Sequence, residues 1–276
     1  MTATTFEPAA LITGASSGIG AGLAREFVRR GLRVALVARR VEQLETLAAE
    51  LRQAGGRASA HKGDVTVDGD IGRVVAELAA QNIVPSIVVA NAGFGIVGKV
   101  QNLSQSDYRR QLETNFFGVL RTFHESFEAL QRARGRIVIM GSVAGHISAP
   151  GGSPYAVSKF AVRALAEALH GDLKGTGVGC TLVSPGFVDS DIRRTDNRGG
   201  FHPEAPDPIP AWLRMRTDQA ARIMVRGILA GKREVKVTFH GKVMIFIARH
   251  LSGLVRWLLL RSYKARPEPR DRSRGA

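Results

Sequence analysis

The amino-acid sequence predicts one doubly wound α/β domain over residues 1–240, followed by a basic amphipathic helical extension over 241–276. Three observations carry that reading. Short β-branched runs alternate with longer amphipathic stretches. The short runs are apolar almost without interruption, as in parallel strands covered on both faces. The longer stretches close near glycines, as helix C-termini often do.

In chain order, strands are expected at 9–13 (AALIT), 33–37 (RVALV), 57–61 (RASAH), 86–90 (SIVVA), 136–140 (RIVIM), 179–183 (GCTLV) and 234–239 (EVKVTF). Stretches such as IGAGLAREFVRRG and VEQLETLAAELRQAG supply the helices between them. Together they make a seven-stranded parallel sheet with helices on both sides. Residues 187–212 break the rhythm, because the prolines of FHPEAPDPIP forbid a regular helix or a central strand. A segment of this kind after a strand C-terminus lies where open α/β sheets bind ligands, and it is read as a substrate lid.

Composition narrows the class. A hydrophobic share of 44% in 276 residues is ordinary for a globular protein with a full core. The single cysteine, Cys180, excludes an internal disulfide framework and reads as a packed thiol in the apolar run CTLV. The N-terminal segment has no basic region followed by a long apolar run, so no signal peptide is expected and the location is read as cytoplasmic. The seven histidines show no metal-ligand spacing, and no metal site is expected. The net charge of +15 is uneven: from Lys232 onward stand twelve of the 39 Lys and Arg against three of the 24 acids. Such charge attracts nucleic acid or anionic lipid. No nucleic-acid recognition motif accompanies it, so no nucleic-acid partner is expected.

The first strand runs into Thr13-Gly14-Ala15-Ser16-Ser17-Gly18-Ile19-Gly20. Glycines at 14, 18 and 20 let the backbone turn sharply and approach a pyrophosphate, and the following helix offers its N-terminal N–H groups to the anion. Placed between the first strand and first helix, the motif makes the fold Rossmann-like. Gly14, Ser16, Ser17, Gly18, Ile19 and Gly20 are the expected contacts. The second strand ends at Ala38, with Arg39 and Arg40 where an acid would bind the ribose hydroxyls of NAD(H). Arginine binds a 2′-phosphate through charge-assisted hydrogen bonds, so NADP(H) is favoured over NAD(H).

Ser142 follows the strand RIVIM, and Tyr155 and Lys159 stand four apart. On a helix that spacing places both side chains on one face. A free tyrosine titrates near about 10 and is a poor base at neutrality, whereas a nearby ammonium favours its phenolate. The set is a plausible proton donor and acceptor.

With these residues in place, the chain resembles the classical short-chain dehydrogenases/reductases over residues 9–240. The motifs stand in family order: the glycine loop, Asp64-Val65, Asn91-Ala92-Gly93, Asn115, Ser142, Tyr155 with Lys159, and Pro185-Gly186. The resemblance implies that Asp64 hydrogen-bonds the adenine amino group with Val65 beside it. Asn91, Ala92 and Gly93 would lie by the adenosine ribose. Tyr155 would donate a proton to the substrate oxygen and contact the cofactor, Ser142 would hold that oxygen, and Lys159 would bind the nicotinamide ribose and tune Tyr155. Asn115 would organise a water linking Lys159 to solvent. Backbone at Pro185, Gly186 and Val188 would fix the nicotinamide carboxamide. Gly141, Ala90 and Ser17 depart from common family residues, and Ser190 takes the place of a threonine common after Pro-Gly. The implied activity is reversible reduction of a carbonyl to a secondary alcohol. The implied partners are a small-molecule carbonyl or alcohol and further copies of the chain in a homodimer or homotetramer. The rival is a dinucleotide-binding regulator or scaffold of the same fold, against which the intact Asn115, Ser142, Tyr155 and Lys159 argue.

Residues 94–98, 143–153 and 187–212 are expected to shape the substrate pocket. His146, Phe94 and Ile96 suit either that pocket or packing. In the extension, Lys242, Arg249 and Arg256 recur every seven residues. On a helix over 241–263, Arg249, Ser252, Gly253 and Arg256 share one face, opposite Ile247, Leu251, Leu254 and Leu258. Trp257 and Tyr263 would be interfacial aromatics. Two readings stand: peripheral binding to an anionic membrane surface, on the inner face, with a lipophilic substrate; or cover for the pocket or a subunit interface. The end, KARPEPRDRSRGA, is polar, basic and read as disordered.

Overall fold

The computed structural model describes residues 6–251 and, beyond them, Gly253, Trp257 and Arg261. Seven strands, β1 (Glu7–Thr13), β2 (Arg33–Ala38), β3 (Ala58–Lys62), β4 (Ile83–Ala90), β5 (Arg136–Met140), β6 (Gly179–Ser184) and β7 (Glu234–Lys236), form one parallel sheet in the order β3-β2-β1-β4-β5-β6-β7. The helices are α1 (Gly18–Arg29), α2 (Val41–Gln53), α3 (Asp70–Ala79), α4 (Gln105–Leu112), α5 (Gly118–Ala133), α6 (Ser153–Asp172), α7 (Thr217–Leu229) and α8 (Phe239–His250).

Alternate strand residues face opposite sides, and both sides are apolar. Ala10 and Ile12 pack with Phe27 of α1, Leu44 of α2 and Met224 of α7. Ala9 and Leu11 pack with Ile71 of α3, Phe123 of α5 and Val162 of α6. Each of the larger of these side chains, removed from water, stabilises the fold by about 1.5–3 kcal/mol. This two-sided burial is why the strands read as continuous apolar runs.

The strand order reverses between β1 and β4, which opens a crevice at their C-terminal ends. Thr13 and Asn91 lash those ends together. Thr13 Oγ1 donates to Val89 O at 3.2 Å and accepts from the amides of Asn91 and Ala92 at 3.0 and 3.1 Å. The Asn91 amide group donates to Thr13 O at 2.9 Å and Gly14 O at 3.2 Å.

The strands lie close to their expected places: β1 begins two residues earlier, at Glu7, β2 and β6 each run one residue further, and three others differ as follows. β3 is shifted on by one residue. β4 begins at Ile83 and carries Pro85, opposite Ala9, where the register shifts. β7 ends at Lys236 rather than 239, because the Thr238 side chain accepts from Gly241 N and turns the chain into α8. α8 buries Gly241 and Ile245 and exposes Phe239, Lys242, Val243, Phe246 and Arg249. The helix closes at His250, with Leu251 outside it, so the unbroken helix expected over 241–263 is interrupted there. The readings made for Ser252, Leu254, Arg256, Leu258, Tyr263 and the terminal 264–276 lie outside the described residues. Among the described residues, no helix is long and apolar enough to cross a membrane.

The 187–212 segment has no regular helix or strand, as its prolines require; it holds the 3-10 turn Asp191–Arg193, isolated bridges from Val188 to Met215 and from Thr195 to Phe201, and the start of a second turn, Ala211–Leu213. It is clasped from within. Partly buried Asp207, its side chain 7% exposed, accepts from Arg193 Nη2 at 2.7 Å and from Arg214 Nη1 at 3.2 Å.

Candidate active site

The glycine loop leaves β1 at the crevice. Gly14 and Gly18 take φ of +64° and +52°, where a side chain is strained. At Gly20 an added Cβ would stand 2.3 Å from Gly14 O, so no other residue fits. α1 starts at Gly18 with Ser17 as its N-cap, and the Ser17 side chain makes no capping bond. Its first N–H groups therefore point along the loop without help from the cap. Ile19 packs against the α1–α2 core and anchors the loop from below.

Arg40 reaches back over the loop: its Nη2 donates to Ser16 Oγ at 2.9 Å and Ser17 Oγ at 3.2 Å. Arg39 is 76% exposed and lies 3.9 Å from Asp64 Oδ2, a loose contact. Of the two arginines expected at this end, the second is the one already on the loop. Asp64 Oδ1 accepts from the amide and hydroxyl of Thr66 at 2.9 and 2.8 Å. Val65 is buried against Gly118, where an added Cβ would come within 2.7 Å of Val65 Cγ2.

The chemical end lies above β5 and α6. Ser142 caps the 3-10 turn Val143–Gly145, its Oγ accepting from Ala144 N at 3.1 Å. The same side chain faces the Tyr155 hydroxyl closely enough to favour its ionised form. Pro154 in the first turn of α6 sets the start of the helix that carries Tyr155 and Lys159. Lys159 is buried, donates to Met140 O at 2.8 Å and lies 5.5 Å from the centre of the Tyr155 ring. Burial brings its ammonium down to about 8. The Tyr155 residue keeps some exposed surface, but its phenol oxygen is deep. Burial pushes that phenol up, opposed by the Ser142 side chain and by the charge of Arg193. Near neutrality Tyr155 is therefore a protonated acid beside a charged lysine.

Asn115 sits in a π-helical turn, Glu113–Phe117, between α4 and α5. It is fully buried. Its Nδ2 donates to Phe94 O at 3.0 Å and Ser158 Oγ at 3.1 Å, while Oδ1 accepts from Phe94 N at 3.1 Å. It thus ties the 93–95 loop after β4 to the helix that carries Lys159. Gly93 lies against it, since a Cβ there would approach Asn115 Oδ1 to 3.1 Å.

The third wall follows β6. Pro185 O accepts from Val143 N at 2.9 Å, which joins this loop to the Ser142 turn. Gly186 cannot carry a side chain, because Thr238 Oγ1 would stand 2.2 Å from its Cβ. Val188 is buried, pairs with Met215, and its carbonyl accepts from Arg193 Nη2 at 3.0 Å. Ser190 lies across the glycine loop, its Cβ 3.4 Å from where a Cβ on Gly18 would be. The 187–212 segment and the glycine loop thus lie close together at the position expected to replace the family threonine.

Over residues 8–199 the chain matches the sequence model of short chain dehydrogenases. It belongs to the short-chain dehydrogenase/reductase family. An uncharacterized oxidoreductase of Myxococcus xanthus is 36% identical over 82% of this chain and 85% of that one. The 11-beta-hydroxysteroid dehydrogenase A of Sesamum indicum is 30% identical over 96% of this chain and 78% of that one. Among solved structures, a short-chain dehydrogenase from Sphingobium yanoikuyae in complex with NADPH superposes with a TM-score of 0.72 at 28% identity, covering 95% of this chain and 99% of that one.

This short-chain dehydrogenase is an NAD(P)-dependent oxidoreductase acting on alcohol and carbonyl groups. Its loop fits the dinucleotide: Gly14, Gly18 and Gly20 leave backbone bare at the crevice where a pyrophosphate meets a helix N-terminus. Two residues expected near the substrate are otherwise engaged. His146 Nε2 lies 3.3 Å from Ser184 Oγ and 3.2 Å from Glu234 Oε1, tying the Ser142 turn to the sheet edge. Ile96 is fully buried. Glu234 is held at about 2, burial notwithstanding, by its bonds from His146 and Ser184. Cys180 is buried and its thiol is pushed up to about 12, so it is not a nucleophile. The dehydrogenase also uses residues that no motif announced. Buried Gln111 holds the same loop as Asn115, its Oε1 accepting from Ile96 N at 2.7 Å and its Nε2 donating to Phe94 O at 2.8 Å. Arg193 brings a cation toward Tyr155 from the lid.

Proposed function

We propose that the chain is an NADP(H)-dependent reductase of a lipophilic ketone, with Tyr155 as general acid in reduction and general base in the reverse direction. The observation that carries this reading is the convergence of Ser142, Tyr155 and Lys159: the Lys159 ammonium lies 5.5 Å from the centre of the Tyr155 ring, and Ser142 faces the hydroxyl of that ring. The Gly14, Ser16, Ser17, Gly18, Ile19 and Gly20 loop would hold the pyrophosphate. Arg40, with Arg39, would hold a 2′-phosphate. Asp64, Val65, Asn91, Ala92 and Gly93 would flank the adenosine. Lys159 with Pro185, Gly186, Val188 and Ser190 would hold the nicotinamide half. The bound dinucleotide supplies a hydride to the carbonyl carbon.

The chain's own part is proton handling and orientation. Ser142 and Tyr155 grip the substrate oxygen from two sides. Tyr155 gives its proton to that oxygen as negative charge grows on it, and the Lys159 ammonium favours the phenolate left behind. Asn115 fixes the loop at Phe94 so that the wall opposite Tyr155 does not move. Gly95 lies 3.5 Å from the Tyr155 ring when a Cβ is placed on it, so its lack of a side chain leaves that face open to substrate.

Two features support a lipophilic substrate. Trp212 on the lid is 83% exposed, and Phe239 and Phe246 of α8 are 80% and 63% exposed, interleaved with Lys242 and Arg249. The Sesamum indicum relative is named for a steroid substrate. The basic, aromatic face suits peripheral binding to an anionic membrane surface from the cytoplasmic side. A homodimer or homotetramer is in keeping with the family.

The test is oxidation of NADPH with a panel of 3-keto acyl, steroid, sphingoid and simple aldehyde substrates. The wild type should turn over at least one lipophilic ketone, and Tyr155→Phe should be slower by roughly two to four orders of magnitude. Equal rates for the two proteins would end the reading.

A further inference from the structure

The first turn of α8 is wedged between two segments of the site. On one side, a Cβ at Gly241 would meet Val143 Cγ2 at 3.0 Å, directly after Ser142. On the other, a Cβ at Gly186 would lie 2.8 Å from His240 Nε2. His240 makes the bonding contact. Its Nε2 accepts from Phe187 N at 3.1 Å and lies 3.2 Å from Thr238 Oγ1. Its ring stacks on that of Phe187, with centroids 5.2 Å apart and planes 22° from parallel.

An imidazole nitrogen that accepts from a backbone N–H carries no proton, so the ring is neutral with its hydrogen on Nδ1. Burial pushes His240 in the same direction. The main chain at 185–188 is also held at Pro185 O by Val143 and at Phe187 O by Met215 N at 2.9 Å. The Phe187 amide is the point where α8 takes hold of it.

We propose that His240 is a positioning residue for the nicotinamide half of the cofactor site, setting the 185–188 backbone through the Phe187 amide. The proposal rests on the functional reading above, in which that backbone meets the carboxamide. It also makes α8 part of the active site's support rather than an appendage.

Two probes separate the halves of the cofactor. NADP+ spans both, and 2′-phospho-ADP-ribose carries only the adenine half. Binding of each is measured by calorimetry on wild type, His240→Leu and His240→Gln. His240→Leu should weaken NADP+ about tenfold by leaving the Phe187 amide without its acceptor. It should leave 2′-phospho-ADP-ribose within about twofold. His240→Gln, whose side-chain oxygen can accept the same amide, should recover most of the NADP+ affinity. In kinetics, His240→Leu should raise the KM for NADPH more than it lowers kcat. Unchanged NADP+ binding in His240→Leu overturns the proposal, as does equal weakening of both probes. Failure of Gln to outperform Leu does the same. If the wild type itself binds no NADP+, the functional reading falls and this inference with it. If the wild type binds and only the His240 comparison fails, the functional reading stands.

Discussion

The Lys159 ammonium donates to the main-chain oxygen of Met140 at 2.8 Å, while the Tyr155 ring lies 5.5 Å away on the same helix face. One hydrogen bond therefore ties the helix of the acid to the strand that leads to Ser142. Lys159 titrates near about 8, so its charge supports the Tyr155 phenolate below that pH and is lost above it. The phenol is pushed up and stays protonated across the same range. For reduction, kcat/KM measured from about pH 6 to 10 should be flat and then fall above about 8. Lys159→Met should remove that limb and leave a slow, pH-independent rate. A wild-type profile still rising at pH 9 would contradict the assignment.

Arg40 bonds both loop serines, whereas Arg39 is exposed and only loosely near Asp64. A charge-assisted hydrogen bond is worth about 1.5–3 kcal/mol. Arg40→Ala should lower the ratio of kcat/KM for NADPH over NADH by roughly ten- to hundredfold. Arg39→Asp should shift the same ratio toward NADH through repulsion of the 2′-phosphate. A preference unmoved by both variants would mean that neither arginine reads the phosphate.

Asp207 is held at about 2, against an ordinary 3.8, chiefly by its hydrogen bond from Arg193 and despite burial. Its folded value is depressed, so its stabilisation of the lid is complete above about pH 4 and vanishes as pH falls through about 2. Asp207→Asn reproduces the loss at neutral pH. Trypsin should then cut within 187–216 several-fold faster, with the core domain left intact, and the variant's activity should fall. Wild-type cleavage kinetics in Asp207→Asn would remove the clasp from the account.

Gln111 is buried and is the acceptor for Ile96 N. Gln111→Leu leaves that amide without a partner, at a cost of about 1–3 kcal/mol. Thermal denaturation should show Tm lower by about 2–6 °C. Activity should drop too, since the loop it holds carries Phe94 beside Asn115. A Tm within 1 °C of wild type, to within about the error of the scan, would show that the loop is held elsewhere.

Phe239, Val243 and Phe246 lie exposed among Lys242 and Arg249. The protein should sediment with anionic vesicles at low salt and much less with zwitterionic ones. Phe239→Ser combined with Phe246→Ser should abolish most of this binding while leaving turnover of a water-soluble ketone unchanged. No sedimentation of the wild type at low salt would refute membrane association.

What could be read from the sequence was local or periodic. Tyr155 and Lys159 declare themselves by helical spacing, the glycine loop by its place between a strand and a helix, and the sheet by apolar runs buried on both faces. Contacts between distant segments left no such trace. Asp207 meets Arg193 across 14 residues of proline-rich chain, and His240 meets Phe187 across 53. Gln111 looks like any polar residue of an amphipathic helix until the fold turns it inward. The overrun of the last strand has the same origin. Val237 keeps its buried place, but the Thr238 cap is a hydrogen bond that β-branched composition does not reveal.

The wide turn at Glu113–Phe117 gives Asn115 a different kind of vulnerability. A π turn accommodates one residue more than the regular ladder. Excision of a single residue there would let the ladder close at ordinary pitch, with the helices on either side kept in register and the side chains of the turn itself, Asn115 among them, turned from their present directions. The carboxamide would be intact in chemistry and lost to the loop at Phe94. At this point the protein depends on the number of residues as much as on their identity, and a length change far from Tyr155 in the chain could silence it without altering any catalytic group.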